Sequence, residues 1–194
     1  MSLLQETLER GEFAITAEMA PPKGTDLSHL LECAKKCVGR VHATNVTDFQ
    51  SAVMRATSLA TCKMLKDIGL EPIIQMTGRD RNRIAIEGEM LSAGIFGIDN
   101  LLALTGDHVC VGDHKQAKPV FDLDAVSILS TATMMNNGTD STGLELKGKT
   151  DFFLGACVTP EYDPIEVQFS HMFYIINGLS LEKSSSSFYF LFHF

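Results

Sequence analysis

Two short apolar runs near the middle of the chain each end in a cluster of polar side chains. Residues 72–76 lead into Thr77, Arg79 and Asp80, and residues 100–104 lead into Thr105, Asp107 and His108, with Gln75 inside the first run. Apolar runs of this length, closed by Thr77-Gly78 and Thr105-Gly106, have the pattern of buried parallel strands. The polar groups then gather just beyond the carboxyl ends of two neighbouring strands, where open α/β sheets and β/α barrels hold ligands. One such loop is adequately explained as solvated surface. Two matching loops point to a site able to offer hydrogen bonds and a carboxylate to a small molecule.

A second carboxylate belongs to the same end of the sheet. Residues 13–19 read as a first strand, stopped by Pro21-Pro22, which cannot continue a central strand. Glu18 lies near the end of that run; alternation puts it with Thr16 on one face and Ala17 and Met19 on the other. It is either a buried acid with a task or a strand-end residue meeting water. Residues 40–46 form the next strand, delivering Thr47, Asp48 and Gln50 to the same end, while His42 reads as a satisfied face residue.

The elements that must position these groups alternate regularly. Helices are expected over residues 3–12, 27–38 capped by Asp26, and 51–66 with Val53, Met54, Leu59, Met64 and Leu65 inward. A fourth is capped by Asp80 and packs on Ile84, Ile86, Met90, Leu91 and Ile95; a fifth runs from Asp124 to about Met135. Residues 109–119 lack periodicity and read as a long loop of the kind that closes over ligands. Residues 151–158 make a fifth strand. Five βα repeats argue for a parallel α/β fold; a doubly wound sheet would be complete with five strands, whereas a β/α barrel needs eight.

The 194 residues suffice for one domain with a real core. A net charge of −8 excludes non-specific nucleic-acid binding, which needs clustered cations. Arg79, Arg81 and Arg83, interleaved with Asp80 and Asn82, suit at most the phosphate of a small ligand. The five cysteines form no CxxC pair, and with no signal-peptide pattern they indicate reduced thiols and a cytoplasmic location. Cys33 and Cys37 read as small core residues. His108-x-Cys110-x-x-x-His114 lacks a fourth ligand and reads as coincidence rather than a metal site. From residue 169 the character changes: half of the phenylalanines and a run of four serines crowd this end, without period or turn grammar. Residues 1–168 are therefore expected to form the domain, and residues 169–194 a non-native or disordered tail. Within it, residues 188–194 have the pattern of an unpaired, aggregation-prone strand. The tail is too short and interrupted for a membrane span, a tail anchor being the lesser alternative.

At Glu18-Met19-Ala20-Pro21-Pro22-Lys23-Gly24, Asn45-Val46-Thr47-Asp48, the Arg79–Arg83 loop and Leu102-Ala103-Leu104-Thr105-Gly106-Asp107, the chain resembles the methylenetetrahydrofolate reductase family, and most of all its short bacterial or archaeal branch. The similarity runs from about residue 8 to 168. It implies a TIM-type (β/α)8 barrel, truncated to about its first five β/α units. It also implies FAD at the carboxyl ends of the strands. A hydride would pass from NADH, NADPH or another reductant through FAD to 5,10-methylenetetrahydrofolate, giving 5-methyltetrahydrofolate. By the resemblance Glu18 is the general acid and Asp107 the carboxylate beside the flavin. A carboxylic acid among apolar neighbours has its pKa raised and can hold a proton near neutrality. Thr47, Gln75, Thr77, Thr105 and Gly106 line the flavin, and Asp124 lies near the adenosine half. The best-known members carry histidine in place of Gln75 and arginine in place of Thr105. A folate substrate and a homo-oligomer or partner reductase subunit are the implied partners. Two alternatives stand beside this: a non-catalytic or partner-dependent barrel fragment, and another β/α-barrel enzyme whose arginine loop cradles a phosphate-bearing ligand.

Overall fold

A computed structural model of the chain describes residues 1–158 and the strand 188–192. The strands are β1 (Thr16–Met19), β2 (Ala43–Val46), β3 (Pro72–Thr77), β4 (Asn100–Leu104), β5 (Phe153–Val158) and β6 (Phe188–Phe192). They form one sheet in chain order with every neighbouring pair parallel. That singly wound order belongs to β/α barrels; doubly wound sheets reverse direction at a switch point. The described strands form an open row, β1 to β6. β6 corrects one expectation: residues 188–192 pair in parallel with β5, Leu154 opposite Phe188 and Val158 opposite Phe192. The rest of the expected tail lies outside the described residues.

The helices are α1 (Leu3–Glu9), α2 (Ser28–Cys37), α3 (Ser58–Asp67), α4 (Arg83–Ile95) and α5 (Ala125–Asn136), one after each of β1 to β4 and one before β1. On the helix-facing side of the sheet, Met19, Val46, Ile74, Met76, Leu101, Ala103, Leu154 and Ala156 pack against α2 to α5 in the main core. The other side is smaller and layered. Ala43, Ile73, Leu102 and Phe153 meet Leu4 of α1, so α1 closes the amino-terminal end of the inner face and leaves the carboxyl-terminal end polar.

α1 is held there by capping rather than by length. Ser2 accepts from Gln5 N and donates to Asn100 Oδ1 at 2.7 Å, while Leu3 N and Leu4 N donate to the Glu71 carboxylate at 2.6 and 3.0 Å. Asn100 Nδ2 also donates to Glu71 Oε1. The carboxylate satisfies two first-turn amides and sits at the positive end of the helix. Glu71→Ala is expected to cost about 1–2 kcal/mol, seen as a lower urea midpoint and faster amide exchange across α1.

Several helix expectations are corrected. α3 begins at Ser58, seven residues later than residue 51, because Phe49, Ser51 and Ala52 have φ of 47, 56 and 55°, which no right-handed helix can include. Residues 50–52 make one 3-10 turn instead, and Met54 and Met64 face solvent. Arg55 Nη1 and Ala56 N bond to the carbonyls of Pro21 and Pro22, drawing this segment over the end of β1. α4 is capped by Asn82, whose Oδ1 accepts from Ala85 N, because Asp80 is taken by Arg79. Its buried stripe is Ile86, Met90 and Ala93, while Ile84 and Ile95 are 77% and 82% exposed. Asp124 caps as expected, accepting from Ser127 N. The expected cap of α2 is corrected: its N-cap is Leu27, and Asp26 accepts from Ser28 N and Oγ in a turn just before the helix.

Candidate functional site

The polar end of the inner face is a cleft of about 360 Å³. Strand alternation builds its floor. Along the register, Gln75 pairs with Leu102 and Thr77 with Leu104, and the end of β1 with the loops after β2, β3 and β4 supplies the walls. The lining includes Glu18, Thr47, Asp48, Gln75, Thr77, Gly106 and Asp107, with Phe49, Leu102 and Leu104 as apolar surface. Six of the eight residues singled out in the sequence thus share one cleft. The other two lie outside its lining, at the start of α5. Thr105 Oγ1 accepts from Ala125 N at 3.1 Å and Asp124 caps the helix. Their short polar side chains are spent on the orphan amides of a helix terminus.

Glu18 and Asp107 are both exposed to the cleft, and neither has a hydrogen-bond or ion-pair partner for its carboxylate among the described residues. Alternation held for Glu18, which shares the exposed face with Thr16 while Met19 is buried. The apolar enclosure expected around it is not built by the described residues.

Beneath these two acids Asp48, Glu89, Arg79, Arg81 and Arg83 each have an ion-pair partner among the described residues. Asp48 is buried; its Oδ2 accepts from Thr77 N at 2.9 Å and Thr77 Oγ1 at 3.0 Å, and it pairs with Arg81. Arg81 also donates to Glu89 at 2.5 Å and lies 5.9 Å from the Phe49 ring centre. Burial pushes the Asp48 carboxyl up, against the pull of Arg81 and the Thr77 hydrogen bonds. It pushes Glu89 up in the same way. For Arg81, burial pulls down, but the two carboxylates outweigh it and the net direction is up. Arg79, 2% exposed, pairs with Asp80 and donates to the carbonyls of Phe49 and Asp107, each at 3.1 Å. Arg83 pairs with Asp122, whose carboxyl it holds down at about 2. Among the described residues all three arginines of the loop already pair with carboxylates of the chain, which weighs against the expected phosphate cradle there; Arg83 alone is half exposed.

The two glycines of these loops have different tasks. Gly106 has φ of +91°, and a Cβ on it would come within 3.2–3.3 Å of the Thr77 and Arg79 side chains. The close approach seen among the described residues is to its own chain. At Gly78 a Cβ would fall 1.7 Å from Leu123 O, so the segment before α5 can lie on the β3 loop only if that position carries no side chain.

Sequence reasoning missed Phe49, Ser51, Leu102, Leu104 and Cys157 as lining residues. Leu102, Leu104 and Cys157 follow from alternation along β4 and β5 and could have been found that way. The left-handed backbone that turns Phe49 and Ser51 into the cleft has no sequence signal, since neither is glycine. Burial pushes the Cys157 thiol up. His108 Nδ1 accepts from Cys110 N and His114 pairs with Asp113, so these histidines are occupied in the loop. Among the described residues no three His, Cys, Asp or Glu side chains could share a metal, and no helix is long and apolar enough to cross a membrane.

Comparison with known proteins bears on the origin of this arrangement. No curated protein matches the chain. A solved structure described as "Uncharacterized protein from Clostridium thermocellum binds two copies of 5-methyl-5,6,7,8-tetrahydrofolic acid" superimposes with a TM-score of 0.54 at 15% identity, over 97% of this chain and 58% of that one. At that identity the likeness is one of fold, and the chain spans little more than half of its neighbour's length. The methylenetetrahydrofolate reductase family matches residues 3–137, a stretch that starts in α1, ends at the carboxyl terminus of α5 and takes in every described cleft residue except Cys157. With more than two thirds of the chain matched, including both unpaired carboxylates and the arginine loop, the protein belongs to the methylenetetrahydrofolate reductase family.

Proposed function

We propose that the cleft is the flavin- and acid-bearing part of a reductase acting on 5,10-methylenetetrahydrofolate, with FAD as the hydride carrier and NADH, NADPH or another reductant as donor. The observation that carries this reading is the pair of carboxylates, Glu18 and Asp107, unpaired among the described residues, in a cleft whose other charged side chains have ion-pair partners. Such a cleft favours a ligand that becomes cationic during reaction.

The residues present fit the ring of a flavin. The cleft is within the range that holds small ligands, Leu102 and Leu104 offer apolar surface, and the Thr47 hydroxyl is buried without a hydrogen-bond partner among the described residues. FAD, when bound, supplies the relay that accepts a hydride from the reductant and releases it to the folate. Thr47, Gln75 and Thr77 hold the ring. Glu18 gives its proton to the folate nitrogen whose bond to the bridging carbon breaks, opening the five-membered ring. The carbon left as an iminium is then the hydride acceptor, and it becomes the methyl group. Asp107 places a negative charge beside that cation. Thr105 and Asp124 are left out of this set because the start of α5 already uses them.

Titrating the purified chain with FAD, followed by flavin absorbance and fluorescence, tests the reading. Saturable binding that Thr47→Val weakens is expected. A folded chain that takes up no FAD overturns it. One alternative also has an observation in its favour. The described strands form an open row that leaves Glu18 exposed, as a subunit completed by a partner chain would. FAD uptake only after a partner chain is added would favour that alternative.

A further inference from the structure

Asp107 projects from a loop after β4, and among the described residues its own carboxylate makes no hydrogen bond or ion pair that would fix where it stands. The backbone carrying it is fixed instead by Arg79. This side chain is as buried as the core leucines, and it donates from Nη1 to Asp107 O and from Nη2 to Phe49 O, each at 3.1 Å. Nε and Nη2 close on the Asp80 carboxylate at 2.7–3.1 Å, which cancels the charge that burial would otherwise leave exposed. A Cβ on Gly106 would come within 3.3 Å of the Arg79 Cβ, so the loop packs closely on it. One planar cation therefore ties the loops after β2, β3 and β4 together around the cleft.

We propose that Arg79 is a positioning residue, which sets the place of the Asp107 carboxylate by gripping the carbonyls of Asp107 and Phe49. The proposal rests on the reading of Asp107 given above for its functional meaning. Only a guanidinium serves, because its fork of donors reaches two carbonyls and a carboxylate at once, and a lysine ammonium of similar length reaches at most one of those groups well.

Amide exchange on the full ligand-free chain tests it. In Arg79→Lys, exchange at Gly106 to His108 and at Phe49 to Ser51 is expected to rise about tenfold, with α3 unchanged. Arg79→Met should do the same. If that variant fails to fold, the lysine variant still decides. Unchanged exchange at Gly106 to His108 overturns the proposal, as does loosening that extends equally to α3, which would make Arg79 a general prop of the fold. A double-mutant cycle on methylenetetrahydrofolate turnover separates this from the reading beneath it. Arg79→Lys should lower kcat in the native background and add nothing to Asp107→Asn. Full turnover in Asp107→Asn alone removes Asp107 from the mechanism, and with it any catalytic meaning for Arg79. Multiplying effects of two impaired variants overturn the positioning role alone.

Discussion

Glu18→Gln is expected to lower reduction of methylenetetrahydrofolate by about 10²–10⁴-fold, the usual worth of a positioned acid, while leaving reduction of bound FAD by the nicotinamide intact. The two half-reactions differ in what they ask of the protein. Hydride transfer into a flavin needs orientation, whereas opening the folate ring needs a proton at one nitrogen. Glutamine keeps the shape and polarity of Glu18 and removes only the proton. Stopped-flow measurement of each half-reaction separates them. Folate turnover that survives in the glutamine variant would sink the assignment of Glu18 as acid. Slowing of both half-reactions alike would also count against it, because a disturbed cleft would then explain the loss.

The second large effect concerns stability. Arg81→Met is expected to destabilise the chain by about 3–5 kcal/mol near neutral pH, the usual result of removing one partner from a buried ion pair. It strands Asp48, fully buried, and Glu89, largely buried, with no cation between them. The pH dependence follows from the direction of the shifts. Burial already raises both carboxyls in the folded chain, and loss of Arg81 raises them further. Acids whose folded values lie above their unfolded ones favour the folded state most at pH below the unfolded values, about 4 for Asp and Glu. That contribution fades as pH rises through the folded values. The deficit of Arg81→Met should therefore be largest at neutral pH and shrink on acidification. Urea denaturation at several pH values checks this; a deficit that is constant with pH would mean that lost packing, not stranded charge, is the cause.

The parts of this protein that were legible in its sequence are those that depend on local pattern. The apolar runs at β3 and β4 announced buried strands, and the rule that ligands sit beyond strand carboxyl ends brought Glu18, Thr47, Gln75, Thr77, Gly106 and Asp107 into one cleft. Alternation even assigned Glu18 its face. What failed depended on partners distant in the chain. The arginine loop suggested at most a phosphate of a small ligand, and nothing in its spacing shows that Asp48 and Glu89 come to meet Arg81, and Asp122 to meet Arg83. The apolar residues of α4 satisfied a helical period from Ile84 to Ile95, yet the stripe that packs runs from Ile86 to Ala93, and the other members face water. The early end of the apolar pattern before α3 was invisible because left-handed Phe49, Ser51 and Ala52 are residue types that ordinarily continue a helix.

The matched arginines also govern how a ligand arrives. The cleft presents two carboxylates and no unpaired cation among its described lining residues, in a chain that is itself acidic. A polyanionic molecule approaching this mouth is repelled before it is held, and its phosphates must find donors beyond the rim. Raising ionic strength screens that repulsion, so added salt should speed its entry, the reverse of a site that steers anions inward.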